Sequence, residues 1–359
     1  MTTVRSTPTP DPIALDATAS TADAVQAAAL ATSRQQRGWL GIYLDLTKAR
    51  LSALVLLTTA VGFIVAMPVG IDWALLLWTI LGTGLAAGSA AAYNQVWEVP
   101  RDRRMVRTQS RPLVAGRMSS VHAFIAATLM GYLGVMTLAV FVNFAAAGLA
   151  LLTILLYVLI YTPLKAHSTL NTLVGAVCGA IPPMIGWVAA RGAIEPGAWI
   201  LGLMLFVWQL PHFLALAWLY RDDYERGGFI MLPMRDRDGE LTAQVTVLTA
   251  VLLIPICLIG TLLGVAGLWY AFGSLLLGLW LVALSVRFYR NRTNANARRV
   301  FFASIVYLPI LLILLMLDRG PINSGGFLSN EAVPAGTSAT ATQTALRESS
   351  APRSANLLP

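Results

Sequence analysis

Nine apolar runs, each near twenty residues, alternate with short polar loops through the middle of the chain, near 46–67, 73–96, 121–141, 145–162, 170–190, 198–219, 243–264, 268–287 and 300–317. A hydrocarbon core of about 30 Å needs about 20 apolar residues in a helix. Each run therefore predicts a membrane-crossing helix, and the expected fold class is all-α, a polytopic membrane bundle of about nine transmembrane helices. The short turns from Asn143 to Ala146 and from Val265 to Leu268 divide spans three from four and seven from eight. Outside the runs the pattern dissolves. Residues 1–38 are rich in Ala, Thr, Ser and Pro and hold no run long enough for a signal peptide. Asp11, Asp16 and Asp23 argue against a transit peptide, so this segment reads as a disordered cytoplasmic tail. Residues 39–320 form the transmembrane domain, and the Ser/Thr/Ala/Pro-rich 321–359 read as a second disordered tail.

Composition agrees with the pattern: 57% of residues are hydrophobic and 12% charged, with a mean hydropathy of +0.69. A soluble domain carries roughly twice that charge. The net charge of +8 is spread between the apolar runs rather than gathered in one stripe, so it indicates membrane topology and not nucleic acid as a partner. The basic residues fall in alternate loops. Arg34, Arg37, Lys48 and Arg50 precede span one, and Arg101 to Arg117 follow span two. Lys165 follows span four, Arg221 to Arg237 follow span six, and Arg287 to Arg299 follow span eight. The opposite loops hold chiefly Arg191. Positive loops stay inside, which places the N-terminus and these loops in the cytoplasm and, with nine spans, the C-terminus outside. The expected location is a bacterial cytoplasmic (inner) membrane. Cys178 and Cys257 lie in apolar runs without CxxC or Cys/His spacing, so neither disulfide nor zinc is indicated.

Charged groups typical of proton relays and voltage sensors are missing from the middles of the spans, which disfavours a transporter or channel. They concentrate at the cytoplasmic ends. Asn94, Glu98 and Asp102 are spaced i, i+4, i+8. On a helix they drift by only about 80° and share a face. Two carboxylates and an amide oxygen suit Mg²⁺, and the C-terminal end of a helix favours a cation. Pro100 is expected to kink or end that helix before Asp102. Arg103, Arg107 and Arg111 follow, and guanidinium groups match phosphate oxygens bidentately. The alternative is that these arginines only mark topology and pair with the acids. A second acidic group, Asp222, Asp223 and Glu225, follows span six at an equivalent helix end. It either faces the first across a diphosphate or pairs with Arg221 and Arg226 in a solvated loop. Lys165 is a topology marker or a third phosphate contact. Asn171, Gly175 and Gly179 share a face that favours close helix packing, and Pro182 and Pro183 are expected to interrupt their helix. His212 lies inside span six after Pro211, eleven residues from Asp223. That spacing returns to within about 20° of the same face, about 16 Å deeper. Such a histidine is a functional candidate, the alternative being a bond to a carbonyl freed by Pro211.

Asn-x3-acid-x3-Asp at a helix end, with a second acidic motif four spans later, resembles the intramembrane prenyltransferases of the UbiA superfamily. The finer resemblance is to their protoheme IX farnesyltransferase (haem O synthase) branch. It rests on Asp102 to Pro112, Tyr161 to Lys165, Asn171, Gly179 to Trp187, Trp208 to Phe213, Asp223-Tyr224 and Met231 to Pro233, and covers roughly residues 40–317. Glu98 stands where many members have Asp. Ala166 stands where Arg is common, with His167 as a partial substitute. The resemblance implies a helical bundle around a lipid-accessible cavity and transfer of a farnesyl group from farnesyl diphosphate to the 2-vinyl group of haem b, yielding haem O and diphosphate. It implies Mg²⁺ held by Asn94, Glu98, Asp102, Asp222 and Asp223. Catalysis would fall to Asn94, Glu98, Asp102 and Lys165, and substrate binding to Arg103, Arg107, Arg111, Asn171, His212 and Tyr224. Haem b is then a substrate, and the lipid bilayer, a haem A synthase or oxidase assembly proteins are the partners implied. A sister enzyme acting on a quinone precursor or chlorophyllide would share the acidic groups without needing the Pro-His-Phe segment.

Overall fold

The computed structural model describes residues 38–67 and 70–319. Both expected tails, 1–38 and 321–359, lie outside the described residues apart from Gly38. Among the described residues nine helices are long and apolar enough to cross a membrane, matching the nine apolar runs.

A short helix, α1 (Trp39–Leu46), precedes the first span, α2 (Ala49–Ala66). Then come α3 (Trp73–Asp102), α4 (Ser120–Phe141) and α5 (Phe144–Leu155). The fourth span continues beyond α5 through a π-helical turn, Leu156–Tyr161, and a last α turn, Thr162–Leu164. The remainder is α6 (Asn171–Arg191), α7 (Pro196–Leu219), the short α8 (Arg221–Arg226) and α9 (Leu232–Arg235), then α10 (Glu240–Leu262), α11 (Leu268–Arg290) and α12 (Asn294–Leu317). Starts are set by local chemistry. Asp72, Ser119, Asn143 and Thr293 each accept a backbone N–H of the first turn they cap. Asn143 also donates to the Val188 carbonyl, 2.9 Å away, so the tight α4–α5 turn is tied to α6.

Neighbours in sequence pack side by side, and α12 returns to contact both α7 and α2. The most enclosed spans are α6 and α7, while α4 and α5 leave most of their apolar surface on the outside, where a bilayer covers it. The close crossing of α2 over α6 depends on glycine. A Cβ on Gly62 would overlap the Pro183 carbonyl, and one on Gly186 the Thr59 carbonyl. Gly175 and Gly179 likewise make room, for the Tyr161 ring and the Gln209 amide, which agrees with their expected packing role.

Two expectations about proline are corrected. α3 runs unbroken through Pro100 to Asp102, and α6 runs through Pro182 and Pro183. Each proline deletes one hydrogen bond and crowds one carbonyl, but a helix packed by its neighbours absorbs this. The consequence for α3 is direct: Asp102 stays on the helical face that carries Asn94 and Glu98.

Candidate active site

Asn94, Glu98 and Asp102 occupy the last turns of α3, and all three are at most 2% exposed. Ionised carboxylates at that burial require compensation, and three segments supply it. Lys48 comes from the corner between α1 and α2, where it takes a left-handed backbone conformation, φ 50°. Gln95 fixes that corner by donating from Nε2 to the Asp45 and Leu46 carbonyls, both at 2.8 Å. Lys48 Nζ then donates to Asn94 Oδ1 at 2.6 Å. Lys165, at the end of the last α turn after the π-helical segment, donates to Glu98 Oε1 at 2.8 Å. Arg111, from the loop after α3, bonds Asp102 Oδ2 and lies 3.6 Å from Glu98 Oε2. Asn94 Nδ2 donates to Thr162 Oγ1 at 3.2 Å, tying α3 to the same π-helical junction. Irregular turns of this kind are frequent at functional sites.

Three cations thus surround two carboxylates. Burial, together with the Arg111 and Lys165 charges, pulls the Lys48 ammonium down to about 7. Burial opposes charge on Lys165 as well, but the Glu98 carboxylate outweighs it and raises that lysine above its ordinary value. Asp102 Oδ1 is buried with no hydrogen-bond partner. An orphaned carboxylate oxygen is costly unless a donor or a cation completes it. With Asn94 Oδ1 and Glu98 on the same face, the donor set is all oxygen and fits Mg²⁺. Among the described residues no group of three or more acid, His or Cys side chains forms a ready cage. That suits an ion which usually takes one or two carboxylates and completes its shell with water and substrate phosphate.

The second acidic group divides. Asp223 is buried; Oδ1 accepts the Val106 N–H at 3.0 Å and Arg226 at 2.8 Å, while Oδ2 is buried without a partner. Burial works against its ionisation, but Arg226 and the Val106 and Arg107 N–H groups prevail and hold the carboxyl below the usual range. It therefore joins the loop after α3 to α8, putting both motifs on one side of the bundle. Asp222 does not join them. It is exposed and lies 3.6 Å from Arg221. Consecutive residues on a helix point about 100° apart, so when one acid of α8 faces inward the next faces out.

The other candidates separate by geometry. Arg107 is exposed and sits over the Tyr220 and Tyr224 rings, 5.6 and 5.3 Å from their centroids, rather than on the acids. Arg103 is exposed and outside the cluster. Asn171 Nδ2 donates to the Ile230 carbonyl at 2.7 Å, and Ile230 N–H donates to the Lys165 carbonyl at 2.7 Å. This strap holds Lys165 in place, and Asn171 itself also lines the cleft beside the cluster. His167 is exposed and bonds the Pro163 carbonyl, so it does not replace a phosphate contact. Beside the cluster lies a cleft lined by Tyr161, Phe213, Leu216, Ala217, Tyr224 and Met231.

His212 is half-buried on the α12 side of α7, stacked between Trp208 and Phe301, with Nδ1 2.9 Å from Ser304 Oγ. Its neighbour Phe213, not His212, lines the cleft. The expected continuous face with Asp223 is also corrected, because α7 ends at Leu219 and Asp223 belongs to α8. The bond to a carbonyl freed by Pro211 is not made either. In the sequence Lys48 reads only as a topology charge, Thr162 only as part of the Tyr161–Lys165 motif, and nothing marks Phe229, whose ring lies 5.7 Å from Lys165 Nζ. No local spacing links those residues to α3.

The profile of the UbiA prenyltransferase family matches residues 55–306 of this chain. The chain belongs to the UbiA prenyltransferase family. Among relatives of this UbiA-family chain, the protoheme IX farnesyltransferase of Solibacter usitatus is 40% identical over 286 residues, covering 77% of this chain and 98% of the relative. That of Salinibacter ruber is 43% identical over 276 residues, with 77% and 98% coverage. The human mitochondrial protein of that name is 41% identical over 285 residues, covering 79% of this chain and 64% of the relative. Among solved structures, a digeranylgeranylglyceryl phosphate synthase superposes with a TM-score of 0.67 at 17% identity, covering 78% of this chain and 98% of its own. A UbiA homologue from Archaeoglobus fulgidus bound to GPP and Mg²⁺ gives 0.52 at 15% identity, covering 76% and 99%. These likenesses establish the fold, a multi-pass helical membrane bundle.

Proposed function

We propose that the chain transfers a farnesyl group from farnesyl diphosphate to the 2-vinyl group of haem b, giving haem O and diphosphate. The observation that carries the reading is the buried cluster in which Glu98 and Asp102 share their charge with Arg111 and Lys165, within a chain whose relatives bear the farnesyltransferase name. Asn94, Glu98 and Asp102 would hold Mg²⁺, with Asp223 Oδ2 available across the substrate. The ion supplies neutralisation of the departing diphosphate. Arg111, Lys165 and Lys48 release the acids and turn to phosphate oxygens, which their donor geometry matches. The bond from the allylic carbon to the diphosphate oxygen breaks, and diphosphate carries away the electron pair. The terminal vinyl carbon bonds to the allylic carbon. Water adds to the cation left beside the porphyrin ring and loses a proton, leaving a hydroxyl. The aromatic cleft of Tyr161, Phe213 and Tyr224 keeps other water from the allylic cation.

In this reading the basic loops and the cluster face the cytoplasm across a bacterial inner membrane, the C-terminus lies outside, and haem A synthase or oxidase assembly proteins receive the product. Residues 39–320 form the catalytic domain. The reading is tested by incubating membranes with farnesyl diphosphate, Mg²⁺ and either haem b or an aromatic quinone precursor. A farnesylated, hydroxylated haem, identified by mass, is the expected product. Prenylation of the quinone precursor with haem b untouched would assign the chain to a sister activity.

A further inference from the structure

His212 is held by one residue of α12 in an unusually complete way. Trp208 and His212, one turn apart on α7, both bond Ser304: Trp208 Nε1 donates to its carbonyl at 2.9 Å, and His212 Nδ1 meets its hydroxyl at 2.9 Å. The direction of the second bond follows from a third. Ser304 Oγ also lies 2.7 Å from the Phe301 carbonyl, which can only accept; with its one proton turned there, the hydroxyl accepts from His212. Nδ1 therefore carries the hydrogen, and the neutral ring keeps an unprotonated Nε2. Two rings stack on the imidazole, Trp208 at 5.3 Å and Phe301 at 4.9 Å between centroids. Nε2 makes no protein hydrogen bond and is not among the sealed, unpartnered atoms. What remains accessible on this half-buried ring is the edge bearing a lone pair.

We propose that Ser304 is a positioning residue that fixes His212 as the Nδ1–H tautomer, so that Nε2 is offered to the iron of the tetrapyrrole substrate. This rests on haem b being the acceptor. An imidazole ligand of iron needs this arrangement: the far nitrogen donates to an acceptor, which sets the tautomer, orients the ring and strengthens the ligand. The packing fixes the ring plane and leaves it one way to point. His212 lies seven residues before the end of α7, about 10 Å from the end that carries the acidic motifs. Phe213 beside it lines the cleft next to Lys165.

The test uses the full-length protein in detergent with ferric haem b as the probe. In labelled-histidine NMR without haem, the ring resonance assigned by its loss in His212→Ala should report an unprotonated Nε2, and Ser304→Ala should convert it to a tautomer mixture. Ser304→Ala should weaken haem b binding by about 10-fold and lower the iron–imidazole stretching frequency. Ser304→Thr, which keeps the hydroxyl, should restore both. Ser304→Ala keeps the carbonyl that Trp208 uses, so a merely structural role would leave the haem affinity and iron–imidazole signature unchanged in folded protein. That result would overturn the assignment even if His212→Ala abolished the haem spectrum. Unchanged haem affinity and spectrum in folded His212→Ala would instead overturn iron ligation itself, and the purpose assigned to Ser304 with it.

Discussion

Glu98→Gln and Asp102→Asn each lower the rate of farnesyl transfer by hundreds-fold, about 3.5 kcal/mol of transition-state stabilisation, in protein that still folds and inserts. Each substitution keeps shape and removes one charge. Asp102 has the clearer case, because its Oδ1 is buried without a partner while its Oδ2 already bonds Arg111. An asparagine there retains a hydrogen bond to Arg111 and loses affinity for a hard cation. Glu98 has cations on both oxygens, Lys165 at 2.8 Å and Arg111 at 3.6 Å, so Glu98→Gln also leaves Lys165 with a weaker partner. The measurement is initial rate against Mg²⁺ concentration, with folded yield checked by size-exclusion. A rate that recovers partly at high Mg²⁺ identifies a ligand loss. Near-normal turnover of both variants at limiting Mg²⁺ would refute the metal assignment.

Arg111→Ala should lower kcat/KM for farnesyl diphosphate by about 100-fold, the loss of one charge-assisted phosphate contact worth about 3 kcal/mol, while Arg107→Ala changes it by no more than a few fold. Only Arg111 lies within reach of both acids. Arg107, at the same i, i+4 register, rests on the Tyr220 and Tyr224 rings. Arg111→Lys should recover part of the loss, since a point charge replaces the fork without its bidentate fit. Equal effects at positions 107 and 111 would mean that the loop rearranges on binding.

The spans were legible because lipid demands long apolar helices; nine runs became nine helices among the described residues. The Asn94–Glu98–Asp102 face was legible because all three side chains sit on one helix, where spacing dictates direction. Lys48 and Thr162 were not, since their contacts to Asn94 are made across 46 and 68 residues of chain, and a sequence carries no register for such distances. Pro100 misled because proline's local cost was weighed without the packing that offsets it. Asp222 misled because consecutive residues of α8 point about 100° apart, so Asp223 turns inward and Asp222 outward. His212 was legible as a histidine inside a span, but its partner, Ser304, lies 92 residues away.

The central claim is that the buried cluster on α3 is where a prenyl diphosphate loses its diphosphate to a haem acceptor. The most direct measurement follows diphosphate release and tetrapyrrole mass in one reaction of purified protein with haem b, farnesyl diphosphate and Mg²⁺, with and without a chelator. The account predicts one diphosphate released per hydroxyfarnesylated haem formed, and neither product once the metal is chelated or Asp102 is replaced by Asn. Haem modification that persists with Asp102→Asn at limiting Mg²⁺, or diphosphate release that continues without any change in haem mass, would contradict it.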